Sequence, residues 1–205
     1  MDRVFIYWDN SNIYISAKEI AAEREGGDAR YRVRLDFPNL LRLACADRPI
    51  ESAVAVGSIP PELRRVWIKL ENAGVKVKLS EREALHGTEQ GMDQELQAHM
   101  LRDALDYNGD PGIAVLLTGD GSGFYDGIGF HADLERMYRR KWRIEVLSWT
   151  DSCNRRMKEW AEQNGKFIAL DDFYDSITFL EPPQPGRPAA DPRYAVPIDL
   201  SRRPM

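Results

Sequence analysis

Short runs of consecutive apolar residues alternate along this chain with longer stretches in which apolar residues recur every three or four positions. Val4-Phe5-Ile6-Tyr7-Trp8, Ile50 to Val56, Ile113 to Leu117, Arg143 to Leu147 and Phe167 to Leu170 are strand-length and bounded by turn residues. The two that are apolar throughout, Val4 to Trp8 and Ile113 to Leu117, read as strands buried on both faces. Val75 to Leu79 alternates apolar residues with lysines, the pattern of a half-exposed strand. Between these runs the period changes to that of a helix. Asn12 to about Arg24 carries Ile13, Ala17, Ile20 and Ala21 as one stripe, and a second helix runs through Leu40, Leu41 and Leu43. Pro60-Pro61-Glu62 opens a third through Leu63, Val66, Trp67 and Leu70, which Asn72-Ala73-Gly74 stops. Met92 to Tyr107, Ala132 to Arg140 and Asn154 to Gln163 follow, with a short last helix over Asp172 to Phe179. Gly26-Gly27 and the polar residues to Arg34 read as a loop or hairpin.

Strands separated by helices predict an α/β fold, a three-layer α/β/α sandwich with a central, mainly parallel sheet. Residues 1–180 are expected to form a single domain. Beyond them the pattern stops, and seven of the twelve prolines lie between Pro182 and Pro204. Residues 181–205 therefore read as an extended, Pro-rich C-terminal arm that wraps its own domain or a partner, a domain-exchanged homodimer included, or as a disordered tail.

Composition narrows the function classes. The 205 residues are 43% hydrophobic, enough for one core, and the formal net charge is −5. That charge argues against a protein that coats nucleic acid, but not against an acidic site that meets phosphate through metal ions. Cys45 and Cys153 are far apart and show no metal-ligand spacing. Reduced thiols, no apolar run near the roughly 20 residues that cross a bilayer, and no signal-peptide pattern suggest a cytoplasmic protein with no membrane partner.

The chemistry gathers at strand ends. Asp9-Asn10-Ser11-Asn12 closes the first strand, and Thr118-Gly119-Asp120 closes the Ile113–Leu117 strand. In a parallel sheet both carboxylates face one edge, where open α/β sheets bind ligands. Asp93 opens the long helix after Gly87 and Gly91, where the chain can approach that edge. Three carboxylates without interleaved cations repel unless a divalent cation sits among them, and oxygen-only ligands suit Mg²⁺ or Mn²⁺. Each acid also has a plainer role, since Asp9 and Asp93 could cap helices and Asp120 could close a turn.

A strand ending in Asp-Asn-x-Asn, then Gly-Met-Asp at a helix start, then Leu-Leu-Thr-Gly-Asp resembles the NYN domain family. That family belongs to the PIN-like (FLAP-nuclease-like) superfamily and includes LabA/DUF88-like bacterial proteins. The resemblance covers roughly residues 3 to 180. It implies a PIN-like sandwich and a metal-dependent ribonuclease that hydrolyses RNA phosphodiester bonds, with Asp9, Asp93 and Asp120 as Mg²⁺ or Mn²⁺ ligands. Asn10, Asn12 and Thr118 match polar companions of those acids. The family's second acid after Thr-Gly-Asp falls on Ser122 here, and Asp126 is the substitute if the glycines let the loop fold back. A catalytically weak module that binds RNA or a protein partner without cleavage is the alternative.

Other signals are weaker. Arg139, Arg140 and Lys141, beside Tyr138 and Trp142, could track an RNA backbone and stack bases, or simply complement a helix C-terminus. Arg64 and Arg65 form a second basic strip. His86, His99 and His131 are isolated and read as core or surface residues, with His86 the least easily dismissed. The glycines from Gly119 to Gly129 miss the dinucleotide fingerprint by one residue, and no phosphate-loop motif is present. An aspartyl-phosphatase reading with Asp9 as nucleophile wants a second acid where Ser11 stands.

Overall fold

The protein is described here by a computed structural model covering residues 2–59, 67–81, 88–118, 127–182 and 191–204. Its centre is a parallel sheet. Among the described residues it has six strands, in the order β4 (Lys76–Glu81), β3 (Ile50–Ile59), β1 (Val4–Asp9), β5 (Ile113–Leu117), β6 (Arg143–Ser148) and β7 (Lys166–Ala169). The apolar runs are continuous because both faces are covered. Along β1, Val4, Ile6 and Trp8 enter one core while Phe5 and Tyr7 enter the other, and β5 divides Ile113, Val115 and Leu117 from Ala114 and Leu116 in the same way.

The first core is roofed by α1 (Asn10–Glu25), α3 (Phe37–Cys45), α4 (Ile68–Asn72) and α8 (Tyr174–Ile177). The second lies under α5 (Thr88–Asp106), α6 (Phe130–Arg139) and α7 (Arg155–Asn164). Together these make the expected α/β/α sandwich. Local chemistry sets the helix starts. The side chain of Asp36 accepts the Asn39 amide at 3.1 Å to cap α3, and Asn154 accepts the Arg156 and Met157 amides to cap α7.

Two segments differ from the sequence pattern. The stretch to Arg34 holds a helical turn, α2 (Ala29–Arg32), and β2 (Val33–Leu35). The segment read as a last helix is a 3₁₀ turn over Leu170–Phe173, then α8, then β8 (Thr178–Leu180). β2 and β8 pair antiparallel in a separate small sheet. Residues 191–204 are tied to the domain by side chains of α3 and β6. Asn39 donates to the Val196 carbonyl and accepts from the Ile198 amide, while Arg203 reaches the Leu43 carbonyl and Glu145. Among the described residues no helix is long and apolar enough to cross a membrane.

The topology fixes where a ligand can enter. From β1 the chain proceeds to β3 and β4 on one side, then returns through α5 to β5 on the other. The strand order therefore reverses between β1 and β5, and the crevice outside their carboxyl ends is the switch point at which such sheets hold ligands.

Candidate functional site

Asp9 and Thr118 meet at that switch point. Asp9 is the last residue of β1 and Thr118 follows β5, whose Leu117 pairs with Trp8. Thr118 is fully buried and its hydroxyl donates to the Asp9 carboxylate at 3.2 Å. The Asp9 side chain also accepts the Asn12 amide at 3.3 Å, with the Asn12 carboxamide on its second oxygen. The helix-capping role is thus realised. It does not explain why a carboxylate is kept here at 2% exposure, since asparagine caps as well. Asn10 is also buried, and its Oδ1 has no hydrogen-bond partner. A buried carbonyl oxygen left without a donor costs about 1–3 kcal/mol. Beside a buried carboxylate, it is a donor atom suited to a hard cation or to a substrate hydroxyl.

Asp93 differs from its sequence reading in one respect. The helix begins at Thr88, so Asp93 lies more than a turn inside it and cannot be its N-cap. Gly91, which reads as a breaker, is part of the same helix. Asp93 is half-buried. α5 starts from the carboxyl-end side of the sheet, so Asp93 stands roughly 8 Å along the helix from its first residue.

Asp120, Ser122, Asp126, Arg64, Arg65 and His86 lie outside the described residues. Among the described residues, no three His, Cys, Asp or Glu side chains are grouped closely enough to hold a metal ion. The basic cluster falls elsewhere. α6 runs back from the carboxyl edge of the sheet and delivers Arg139, Arg140 and Lys141 to the opposite edge, beside the start of β6. His131 is a core residue at 2% exposure, its ring 5.3 Å from that of Trp160. Burial lowers the pKa of His99 and His131. Cys45 is a free thiol.

Two features of this region were not anticipated from the sequence. Gly57, near the end of β3, keeps a gap that a Cβ would close, because that atom would lie 3.0 Å from the Trp67 ring and 3.4 Å from the Asn10 Cβ. Trp67 is buried and packs on Phe37, which in turn meets Trp8 edge-on. Gly57→Ala is therefore expected to displace a tightly held indole at about 1–3 kcal/mol, measured as a lower urea midpoint with altered tryptophan emission. An unchanged midpoint would mean that this wall is loosely packed. The second feature is Asp133 in the first turn of α6, 2% exposed, with one carboxylate oxygen on Arg136 at 2.7 Å and the other buried without a partner. Burial raises its pKa against the pull of Arg136. Only the fold shows that this acid is inside, because its sequence neighbours suggest an exposed charged helix.

A family model described as NYN domain matches residues 3–171. Among solved structures, a protein of unknown function from Vibrio parahaemolyticus is similar, at 20% identity and a TM-score of 0.57, over 83% of this chain and 94% of that one. At that identity the likeness establishes the fold alone. No protein of curated function matches the chain.

Proposed function

Because the chain belongs to the NYN domain family, a PIN-like nuclease module, we propose that it is a ribonuclease whose phosphodiester-cleaving site is the β1/β5 edge around Asp9. The observation that carries this reading is the burial, at the switch point, of the Asp9 carboxylate and of the adjacent residue Asn10, whose Oδ1 has no partner. The donor set is all oxygen, which fits Mg²⁺ or Mn²⁺, and Asp9, Asp93 and Asp120 are the residues proposed to hold it, with Asp126 as a further carboxylate. The chemistry supplied by such an ion when bound is acidification of a coordinated water and neutralisation of phosphate charge.

The chain's own residues do the rest. The Asn12 amide holds one oxygen of the Asp9 carboxylate, and Thr118 and the Asn12 carboxamide hold the other, which fixes its orientation before substrate arrives. Burial of Asp9, Asn10 and Thr118 limits water at the edge, so that charge interactions there are stronger than in solvent.

Cleavage of end-labelled single-stranded RNA in Mn²⁺ tests the proposal. Wild-type protein is expected to cut, whereas chelation or Asp93→Asn is expected to lower the rate at least ~100-fold, the scale of losing one charged group that acts on the transition state. A second reading, an NYN module that binds RNA or a protein partner without cutting it, is favoured by Ser122 at the position of a family acid. RNA binding that is indifferent to chelation, with no cleavage, would select it.

A further inference from the structure

The edge of the sheet opposite Asp9 holds a cleft of about 880 Å³. It opens among the starts of β5, β6 and β7, so it lies about 17 Å, one five-residue strand, from the carboxyl edge. Its lining brings six cations, Arg48, Arg139, Lys141, Arg143, Lys166 and Arg203, together with only two carboxylates, Asp2 and Glu145. That local excess of four positive charges occurs in a chain whose net charge is −5. Glu145 is taken up by Arg48 and Arg203, and Asp2 by Arg143. Among the described residues Arg139, Lys141 and Lys166 form no ion pair.

Helix dipoles do not account for this excess. α3, α6 and α7 end at this edge, and about half a negative charge at each C-terminus offsets less than two of the four. Lys141 is more telling. It sits at φ 73°, in the left-handed region. A non-glycine residue pays about 1 kcal/mol or more for that conformation, and glycine usually occupies such turns. A lysine is held where a glycine would be cheaper. Apolar surface completes the cleft, with Trp142 on its floor and Tyr138, 42% exposed, at its wall. The floor is closely built, since a Cβ on Gly165 would lie 2.3 Å from the Ile144 carbonyl oxygen.

We infer that this cleft binds a nucleotide by its terminal phosphate, with Arg139, Lys141 and Lys166 neutralising the phosphate and Tyr138 stacking on the base. The volume suits one small ligand, a phosphomonoester carries close to two negative charges, and base–aromatic stacking tolerates any base. The ligand is a free nucleotide or the phosphorylated end of an RNA, which present the same group. The site shares no residue with the Asp9 edge and does not depend on the cleavage proposal.

The 205-residue chain would be titrated calorimetrically with adenosine monophosphate, adenosine, and a short RNA ending in either a phosphate or a hydroxyl. Tighter binding of a phosphorylated probe than of its unphosphorylated counterpart is expected, weakened by added salt and at least ~10-fold weaker in Arg139→Gln/Lys141→Gly/Lys166→Gln, a loss of about 1.4 kcal/mol. Adenosine monophosphate binding identifies a free-nucleotide site, and binding of phosphorylated RNA alone identifies an RNA-end site. Lys141→Gly alone is expected to melt no lower than wild type, because it relieves the backbone strain, while still weakening the phosphorylated probe. No preference for the terminal phosphate, or equal affinity in the triple variant, would overturn the assignment.

Discussion

Asp9→Asn is expected to lower Mn²⁺-dependent RNA cleavage by about 10³-fold or more, the effect of removing a principal charged group from a preorganised site, while leaving the protein folded. The two expectations are separable because of what Asp9 does locally. Asparagine is as good an N-cap as aspartate, so its carbonyl oxygen keeps the bond from the Asn12 amide, while its new amide group faces the Thr118 hydroxyl, which can turn to accept from it. The charge is lost, together with the single bond from the Asn12 carboxamide. Thermal melting of the variant within about 2–4 °C of wild type, the shift that 1 kcal/mol produces in a domain of this size, together with the rate loss, would assign the residue to chemistry. A collapse in melting temperature would instead show that the carboxylate is structural.

The largest stability effect is expected at Glu145. This carboxylate is 3% exposed on β6 and is shared by Arg48, through two hydrogen bonds at 2.8 and 2.7 Å, and Arg203 from the C-terminal segment. Glu145→Ala leaves two largely buried guanidiniums facing one another and should cost about 3–5 kcal/mol, read as a reduced urea midpoint. The pH dependence has a definite sign. Burial alone would raise the Glu145 carboxyl, but the two guanidiniums overcome it and hold the group below its ordinary value of 4.5. A depressed carboxyl contributes stability that is fully present above the unfolded-state value and lost as pH falls through the folded one. The gap between wild type and Glu145→Ala should therefore be constant near neutral pH and narrow below about 4.5. A gap that stays constant to the acid end of the range would mean that the network contributes no net charge-pairing energy.

Much of the fold was legible because both faces of the sheet are buried. β5 has the bounds that its apolar run predicts, and β1 ends one residue beyond its run, at Asp9. The polar residue closing each strand was legible too, since a chain leaving a buried strand must find water or a partner at once. What escaped was short or long-range. Val33-Arg34-Leu35 and Thr178-Phe179-Leu180 are too brief to show a period, and each is a strand only because the other lies alongside it. The start of α5 was hidden by Gly91, which lowers helix propensity by about 1 kcal/mol, an amount that packing readily overrides. β3 likewise runs through Gly57, because its pairing with Leu79 of β4 continues there.

The candidate site was legible in its residue types but not in its depth. Asp9, Asn10 and Asn12 form one cluster in the sequence, yet only the fold separates the two carboxamides: Asn12 is bonded to Asp9, and Asn10 Oδ1 is left without a donor. The basic cluster was misleading in the opposite sense. Arg139 to Lys141 follow the β5 loop closely in sequence, but a ten-residue helix is about 15 Å long, which places them at the far edge. Asp133 could not have been found by spacing, since nothing before the fold distinguishes it from Glu135 on the same helix.

The central claim, that the buried carboxylate at the β1/β5 switch point is a metal ligand, is tested most directly by titrating Mn²⁺ into the purified 205-residue chain, followed by electron paramagnetic resonance of the free ion. Wild-type protein is predicted to remove Mn²⁺ from solution in a saturable way, Asp9→Asn and Asp93→Asn each to bind it at least ~10-fold more weakly, a loss of about 1.4 kcal/mol, and Glu145→Gln at the far edge to bind as wild type does. Equal Mn²⁺ binding by wild type and Asp9→Asn would contradict the account.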